Sequence, residues 1–360
     1  MENPKIYILL LLLIIACSPQ DEQELPAFNE YSVSESSIFL SPKTSDFIGR
    51  PTLIKAYDGG LYFTDEGFYR ITKVDSDGNL LLSFGQKGQG PGELESIAGF
   101  WVFDNEYLVY DYNGFKFISY DYQGDLIDEK VVEENPVNPG FPPNIPITVH
   151  AISSHELLIP SGGRNGSLFA ITNIETEEMR FAGKSIGKHI GSYNHEEVQE
   201  AYSKGEIPDV NMNFVILESS FSNIYSFQQT TGILEKFSNS GELIWEKNLK
   251  VPAQDNLFDQ ISRKNQDASK RGEATQLFAY AKAMDANENG VAVLLNMTKG
   301  EPVTVAWVPD DGSRLDVITF PGLEQEELGF MGSLSVSVDD SRAYFLNVQD
   351  GIIYEAEWPI

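Results

Sequence analysis

The sequence predicts an all-β fold, specifically a six-bladed β-propeller with two helical insertions. Three observations support this prediction. The 360-residue chain is rich in Tyr, Phe and aliphatic residues. These residues occur in short alternating runs, and turns containing Gly, Asn or Asp separate the runs. Four strands per repeat are typical of propeller blades, which bury their faces only against neighbouring blades. The turn glycines that mark four of the repeats are Gly78, Gly124, Gly241 and Gly312.

Two further units complete the count of blades. A hairpin without glycine lies near residue 175, and a last unit starts near residue 330 and ends one strand short. Residues 30–40 offer a spare strand at the other end of the chain. We therefore expect the two termini to share the last blade and close the ring, because an open ring would leave a strand edge unpaired.

The junction after the first hairpin resembles that of NHL-type and TolB-like six-bladed propellers. It reads Phe84-Gly-Gln-Lys-Gly-Gln-Gly-Pro-Gly-Glu93, and its glycines suit a tight turn between the outer strand of one blade and the inner strand of the next. The resemblance implies a six-bladed propeller lipoprotein of Gram-negative bacteria. Six-bladed relatives include metal-dependent lactonases and lyases, which place Glu, Asn and Asp around an ion in the channel.

Two segments interrupt the β pattern. Residues 194–205 begin with an Asn suited to cap a helix and end with a Gly suited to close it. Residues 252–283 have helical spacing of apolar side chains, first at Leu257 and Ile261 and again at Leu277 and Ala281. We predict that both segments form helices beside the channel mouth and shape a ligand site there.

The N-terminus predicts export and lipid anchoring. Lys5 precedes an apolar run over residues 6–16, which is shorter than the about 20 residues of a membrane-spanning helix and fits a signal peptide at 1–16. Ile14-Ile-Ala-Cys17 resembles the lipobox of bacterial lipoproteins, in which the Cys thiol is acylated. Residues 17–27 would then be an acidic tether, and residues 28–360 the propeller. We expect a lipid-anchored protein of the bacterial cell envelope, in the outer membrane, with exposure at the cell surface left open.

Charge and motifs exclude several function classes. Lys and Arg number 25 against 54 Asp and Glu, a net charge of −29, whereas nucleic-acid binding needs clustered cations. The chain has no P-loop, G-x-S-x-G or H-E-x-x-H pattern. Asp285-Ala-Asn-Glu-Asn-Gly290 matches the first half of a calcium loop, but Asn296 stands where the pattern needs Glu. We interpret this segment as a hairpin turn, and we predict no cofactor.

Candidate ligand contacts follow from position alone. Propellers bind ligands at the channel mouth, where the inner strands begin. For a histidine at such a position, the alternative to ligand binding is a structural role as a hydrogen-bonded residue of a loop. The sequence predicts a membrane-anchored binding or scaffold protein that contacts the membrane through its lipid and recognises a glycan, a peptide or an envelope protein. The alternative is a metal-dependent enzyme that acts in the channel. The candidates just before or at the start of predicted inner strands are Arg50, Glu93, His150, Asn213 and Tyr280.

Overall fold

Six antiparallel sheets surround a central channel in the computed structural model of the protein, which describes residues 27–132, 149–220, 222–324 and 331–360. The predicted six-bladed fold is confirmed. In each blade the first strand lines the channel. Blade one comprises β3 (Pro51–Tyr57), β4 (Gly60–Asp65), β5 (Arg70–Asp75) and β6 (Leu80–Phe84). Blade two comprises β9 (Ile97–Val102), β10 (Tyr107–Asp111), β11 (Lys116–Tyr120) and β12 (Leu126–Val131). Blade three comprises β13 (His150–Ala151), β14 (Glu156–Pro160), β15 (Phe169–Asn173) and β16 (Met179–Ala182).

The second half of the ring repeats this order. Blade four comprises β17 (Val215–Ser220), β18 (Asn223–Gln228), β19 (Ile233–Ser238) and β20 (Leu243–Asn248); blade five comprises β21 (Ala281–Asn287), β22 (Gly290–Leu295), β23 (Pro302–Pro309) and β24 (Asp316–Glu324); blade six comprises β25 (Met331–Ser337), β26 (Arg342–Asn347) and β27 (Ile352–Glu357). The short strands β7 (Gln86–Lys87) and β8 (Glu93–Leu94) pair within the glycine-rich junction. The four predicted turn glycines all have positive φ, which L residues avoid. In blade three Glu177 takes this role, with φ of 60°.

The N-terminal segment joins the last two blades. Strand β2 (Ser36–Leu40) pairs antiparallel with β27 and is the fourth strand of blade six, as the closure prediction requires. The predicted spare strand is divided, however, because β1 (Asn29–Ser32) instead pairs parallel with β24 as a fifth strand of blade five. Val33, Ser34 and Glu35 lie between these two strands. One segment therefore bridges two neighbouring sheets.

The extra strand β1 changes the exposure of the edge that it covers. Leu315, which comes just before β24, is 1% exposed, and the Asn29 amide donates a hydrogen bond to its carbonyl oxygen. The residues three positions after the turn glycine in blades one, two and four are Leu81, Ile127 and Ile244, and each is more than half exposed. The N-terminal segment thus shields an apolar position that these other blades leave in water.

The core lies between blades. Six apolar clusters each draw their members from two adjacent blades, so that Leu61 and Phe63 of blade one pack with Tyr344 and Leu346 of blade six. The second strands β4, β10 and β22 are buried along their whole length. Because each blade obtains its burial from its neighbours, the ring is stable only when closed.

A seventh apolar cluster joins the two inserted helices. Helix α1 (His195–Lys204) is capped by the Asn194 side chain and by Gly205, as predicted. Helix α2 (Ala253–Arg271) ends at Gly272, so the expected helix beyond this point is wrong: Ala281 begins β21. Cluster members include Val198, Tyr202, Leu257, Ile261 and Phe278. The helices therefore pack on each other and on the connections that enter blades four and five, through Phe214 and Phe278.

The predicted signal peptide, Cys17 and nearly all of the tether lie outside the described residues. Within the part of the chain that the structure describes, no helix is both long and apolar enough to cross a membrane.

Candidate functional site

The channel contains a cavity of about 1150 Å³. Its wall is formed by the inner strands of all six blades and, at the end where those strands begin, by Phe214, Leu277 and Phe278 from the connections that carry the helices. The connections that carry the helices therefore reach the channel wall, and the prediction that the helices themselves shape a ligand site there stays a prediction. Ligand sites typically have volumes of about 300–1,000 Å³, so the cavity is large enough for a small organic ligand.

Each blade contributes one residue to a hydrogen-bonded set at one level of the channel, and all of these residues except the fully buried Ser335 line the cavity. Lys55, Asp285 and Ser335 are each the fifth residue of their inner strands β3, β21 and β25. Trp101 is the fifth residue of β9, Glu218 the fourth of β17, and His150 the first of the short strand β13. We call these six residues the channel belt. The inner strands of a propeller run in one direction, so equal positions along them converge around the axis.

Two hydrogen-bonded groups make up the belt. In the first, the Lys55 ammonium lies 2.5 Å from Asp285 Oδ1 and donates to the carbonyl oxygen of Ala286 at 3.0 Å. Asp285 Oδ2 accepts hydrogen bonds from the Ser335 hydroxyl at 3.1 Å and the Val336 amide at 2.7 Å. Asp285 is thus held by donors from blades one and six, and its side chain is only 5% exposed.

The second group sets the proton positions on the imidazole. Trp101 Nε1 donates to His150 Nδ1 at 3.3 Å, so the other ring nitrogen, Nε2, carries the proton and lies 3.1 Å from Glu218 Oε1. Lys55 Nζ is 4.0 Å from that same Glu218 oxygen and connects the two groups. The arrangement requires a neutral imidazole, because a protonated ring could not accept from the indole.

Burial and mutual charge decide the protonation of the belt. Burial raises the pKa of Glu218 to about 8; the Lys55 charge opposes this shift, and the Asp285 charge adds to it. Burial and the Lys55 charge lower the pKa of His150 to about 3. Burial alone would lower the pKa of Lys55, but Asp285 and Glu218 reverse the shift and raise it. At neutral pH the belt therefore contains one ion pair, a neutral imidazole and a protonated carboxyl, and it can offer hydrogen bonds without demanding a charged ligand.

Of the five candidates chosen by position, the structure brings only His150 into the described lining of the cavity. The Arg50 side chain is 67% exposed and faces Glu66. The Glu93 carboxylate accepts from the Gln86 side chain and the Gly90 amide, and so fixes the glycine-rich junction. Ligand contact by the five residues stays a prediction.

The other two candidates are buried beside the channel wall. Asn213 accepts from the Ile186 and Gly187 amides and donates to the Lys188 carbonyl oxygen. Tyr280 lies in the core between blades four and five, with Lys250 Nζ 4.7 Å from its ring centroid. Residues that precede an inner strand hold the connection in place, whereas the channel is lined further along the strand. Candidates chosen because they precede an inner strand are therefore mostly residues of the connections, and only His150 lies in the channel wall.

The choice of candidates at the beginnings of the inner strands did not include Lys55, Glu218 and Asp285, although the sequence contains a signal for them. Each is a charged residue within a largely uncharged inner strand, where a buried charge needs a partner. Asp285 lies inside β21, and the predicted turn is made by Glu288 and Asn289 just beyond it.

No group of three or more His, Cys, Asp or Glu side chains in the described ranges is arranged to hold a metal ion.

Fold and channel together define a six-bladed β-propeller with a polar belt across a ligand-sized cavity. A family model described as a 6-bladed beta-propeller, DUF5128, matches residues 25–138. A Bacteroides fragilis protein inferred to be exported is similar in structure, with a TM-score of 0.54 and 13% identity over 92% of this chain and 99% of that chain. A DUF4221 member from Bacteroides vulgatus has a TM-score of 0.51 and 12% identity over 91% and 94%. No curated protein matches the sequence.

Proposed function

We propose that the protein is a ligand-binding propeller of the bacterial cell envelope, which takes a small glycan or peptide into its central channel. The observation that carries the proposal is the channel belt: hydrogen-bonded side chains from six blades meet at one level, and five of them line a cavity of about 1150 Å³. Ionisable groups in such a place cost stability unless they are paired. A belt of this kind is therefore expected to be kept for recognition.

The proposal includes attachment to a membrane through acylated Cys17. Its support is the signal-like run, the lipobox-like residues before Cys17, and the resemblance of residues 84–93 to propeller lipoproteins. The similar Bacteroides fragilis protein is inferred to be exported, which agrees with a location outside the cytoplasm. Outer-membrane placement is part of the same proposal.

A binding screen tests the channel. Purified full-length protein is titrated with glycans and short peptides, and binding is followed by calorimetry and by the shift in melting temperature. We expect Glu218→Leu and Lys55→Met each to weaken a genuine channel ligand at least about tenfold, because each removes a polar group that hydrogen-bonds the ligand. Lys116→Met is the matched control, because Lys116 pairs with Glu129 at 3.0 Å in blade two and is absent from the described cavity wall. Ligands whose affinity survives both belt substitutions would contradict the proposal.

A second candidate function, an enzyme of the channel, is favoured by one observation. Glu218 is a buried carboxyl whose pKa is raised to about 8, and such groups serve as general acids. The ammonium of Lys55 lies between the carboxyl groups of Glu218 and Asp285. These two carboxyl groups therefore already have a cation between them, the Lys55 side chain. Incubating each ligand from the screen with wild-type protein and with Glu218→Gln, with and without a chelator, tests this candidate. Turnover that requires Glu218 supports it, and unchanged ligands reject it.

A further inference from the structure

Above the belt, toward the beginnings of the inner strands, the channel wall is largely apolar. Leu53 and Ile216 precede Lys55 and Glu218 by two positions, so each lies on the same strand face as its belt residue. Leu277 and Phe278 enter the wall from the connection that follows α2. We call this part of the cavity the upper chamber. Its apolar lining residues include Leu53, Phe214, Ile216, Leu277 and Phe278.

Two polar residues of the described wall lie next to the start of β21. The Gln229 side chain donates to the Ala281 carbonyl oxygen at 3.1 Å and accepts from the Ala281 amide at 3.1 Å, so the backbone engages both of its polar groups. Burial lowers the pKa of Lys282, because its surroundings disfavour charge. The upper chamber therefore suits an apolar group, and the polar part of a ligand has to be recognised by the belt.

The acceptors of the belt are already used. Asp285 accepts from Lys55 with one oxygen and from Ser335 and Val336 with the other. His150 accepts from the indole with Nδ1. What the belt can offer is therefore donors, namely the ammonium of Lys55, which has three N–H groups, and the hydroxyl of the protonated Glu218 carboxyl.

The geometry around Glu218 assigns the position of its proton. Oε1 lies 3.1 Å from the protonated Nε2 of His150 and 4.0 Å from the Lys55 ammonium. Because both donors approach Oε1, the proton of the neutral carboxyl belongs on Oε2. The Glu218 side chain is 13% exposed and lines the cavity, so a ligand can reach it. Protonated carboxyls in apolar sites donate strong hydrogen bonds to carbonyl oxygens.

We propose that the channel recognises an uncharged, peptide-like ligand: Glu218 donates a hydrogen bond to a carbonyl oxygen of the ligand, and the upper chamber receives the apolar side chain beside that carbonyl. This inference rests on the proposed binding function and selects peptides among its ligands. Ile216 lies two strand residues above Glu218, about 6.6 Å along the strand, which suits the reach of a Leu or Phe side chain. Glycans are disfavoured, because their hydroxyl groups need acceptors as well as donors and the apolar wall supplies neither.

The groups around Glu218 determine when this donor exists. Lys55 reaches it from β3 and His150 from β13, whereas Asp285 and Lys282 lie on the neighbouring β21. Tyr225, its partner across β18, directs its hydroxyl to Asp310 instead. Burial, opposed by the Lys55 charge and aided by the Asp285 charge, sets the pKa of Glu218 at about 8. The donor is therefore present at neutral pH and is lost as pH rises above this value.

Three uncharged probes test the ligand class with the full-length protein. N-acetyl-Leu-Phe-amide, N-acetyl-Gly-Gly-amide and cellobiose are titrated by calorimetry at neutral pH. We expect the Leu-Phe amide to bind at least about tenfold tighter than either of the others, because only its side chains fill the upper chamber. Ile216→Ser and Leu277→Ser should each reduce this preference. Leu82→Ser is the matched control, since Leu82 is a half-buried residue of β6 that is absent from the described cavity wall.

Substitutions of Glu218 test the donor. Glu218→Leu should weaken the Leu-Phe amide at least about tenfold, whereas Glu218→Gln, which keeps an N–H donor, should bind it nearly as well as wild type. Raising the pH from about 7 to about 9.5 should weaken binding to wild type but not to Glu218→Gln. Loss of binding in Glu218→Gln equal to that in Glu218→Leu would contradict donation to a carbonyl.

The inference is overturned by equal affinities for the Leu-Phe and Gly-Gly amides. It is also overturned by a preference that survives both Ile216→Ser and Leu277→Ser, or by binding that Glu218→Leu leaves unchanged. If the wider screen finds a glycan that the belt substitutions weaken while the Leu-Phe amide does not bind, the inference fails and the proposed function stands.

Discussion

The chain joins its blades in two places, at the outer rim and at the centre, and it uses different chemistry in each. At the rim, β1 and β2 join blades five and six through backbone hydrogen bonds and cover the apolar Leu315. At the centre, ionisable side chains of the channel belt meet across the channel. Backbone pairing and apolar burial stabilise a fold with little dependence on side-chain identity, whereas buried ion pairs are weak contributors to stability. The rim is therefore assigned to stability and the belt to function.

The largest expected effect comes from breaking the rim. Deletion of residues 28–42 removes a strand from each of two blades and exposes Leu315 and the edge of β27. We expect the truncated protein to aggregate or to melt at least about 10 °C lower, since several kcal/mol are lost. Differential scanning calorimetry measures this. Unchanged melting would show that blade six closes the ring without β2.

A smaller loss of stability is expected from breaking the belt. Lys55→Met leaves the buried Asp285 carboxylate without its cation, which costs about 3 kcal/mol. The double variant Lys55→Met/Asp285→Asn removes both charges and should recover most of this loss. Urea unfolding of wild type, both variants and the single variant Asp285→Asn measures the coupling. A single variant as stable as wild type would mean that the Ser335 and Val336 donors alone hold the carboxylate.

The belt also predicts how stability depends on pH. The pKa of Glu218 is about 8 when folded and ordinarily 4.5, so the folded state keeps a proton that the unfolded chain loses, and stability falls as pH rises through this window. The pKa of His150 is about 3 against an ordinary 6.5, so stability falls as pH drops from 6.5 toward 3. The two effects oppose each other between 4.5 and 6.5.

Urea unfolding from about pH 3 to pH 9 measures both effects. Relative to wild type, Glu218→Gln should reduce the loss of unfolding free energy above pH 6.5. His150→Gln should reduce the loss of unfolding free energy below pH 4.5. Identical profiles for wild type and Glu218→Gln would show that Glu218 is ionised like an exposed carboxylate.

The smallest effect on stability is expected at the proposed anchor. Cys17→Ala removes the chain's single thiol, which lies outside the described propeller. We expect the variant to leave the membrane fraction while it melts as the lipid-free wild-type propeller does. Fractionation after a salt wash measures this, and a variant that still sediments with membranes would contradict the anchor.

The repeats could be predicted from sequence because they depend on local signals, and closure could be predicted because the last repeat ends one strand short. The turn glycines need positive φ, and the alternating strands need a buried face, so both are visible within a few residues. The belt depends on convergence of Lys55, Glu218 and Asp285 from three distant strands, which no local pattern specifies. His150 was found only because it begins an inner strand. The end of α2 was missed because apolar spacing at Leu277 and Ala281 serves the channel wall and β21, and short apolar runs fit helix and strand alike.

The rim position of β1 determines where an anchored propeller would be attached. The described chain begins at Ala27, beside the outer edge of blade five, and residues 17–27 span at most about 35 Å when fully extended. If Cys17 is acylated as we propose, the lipid is joined to the ring at its circumference, at a point that belongs to neither opening of the channel.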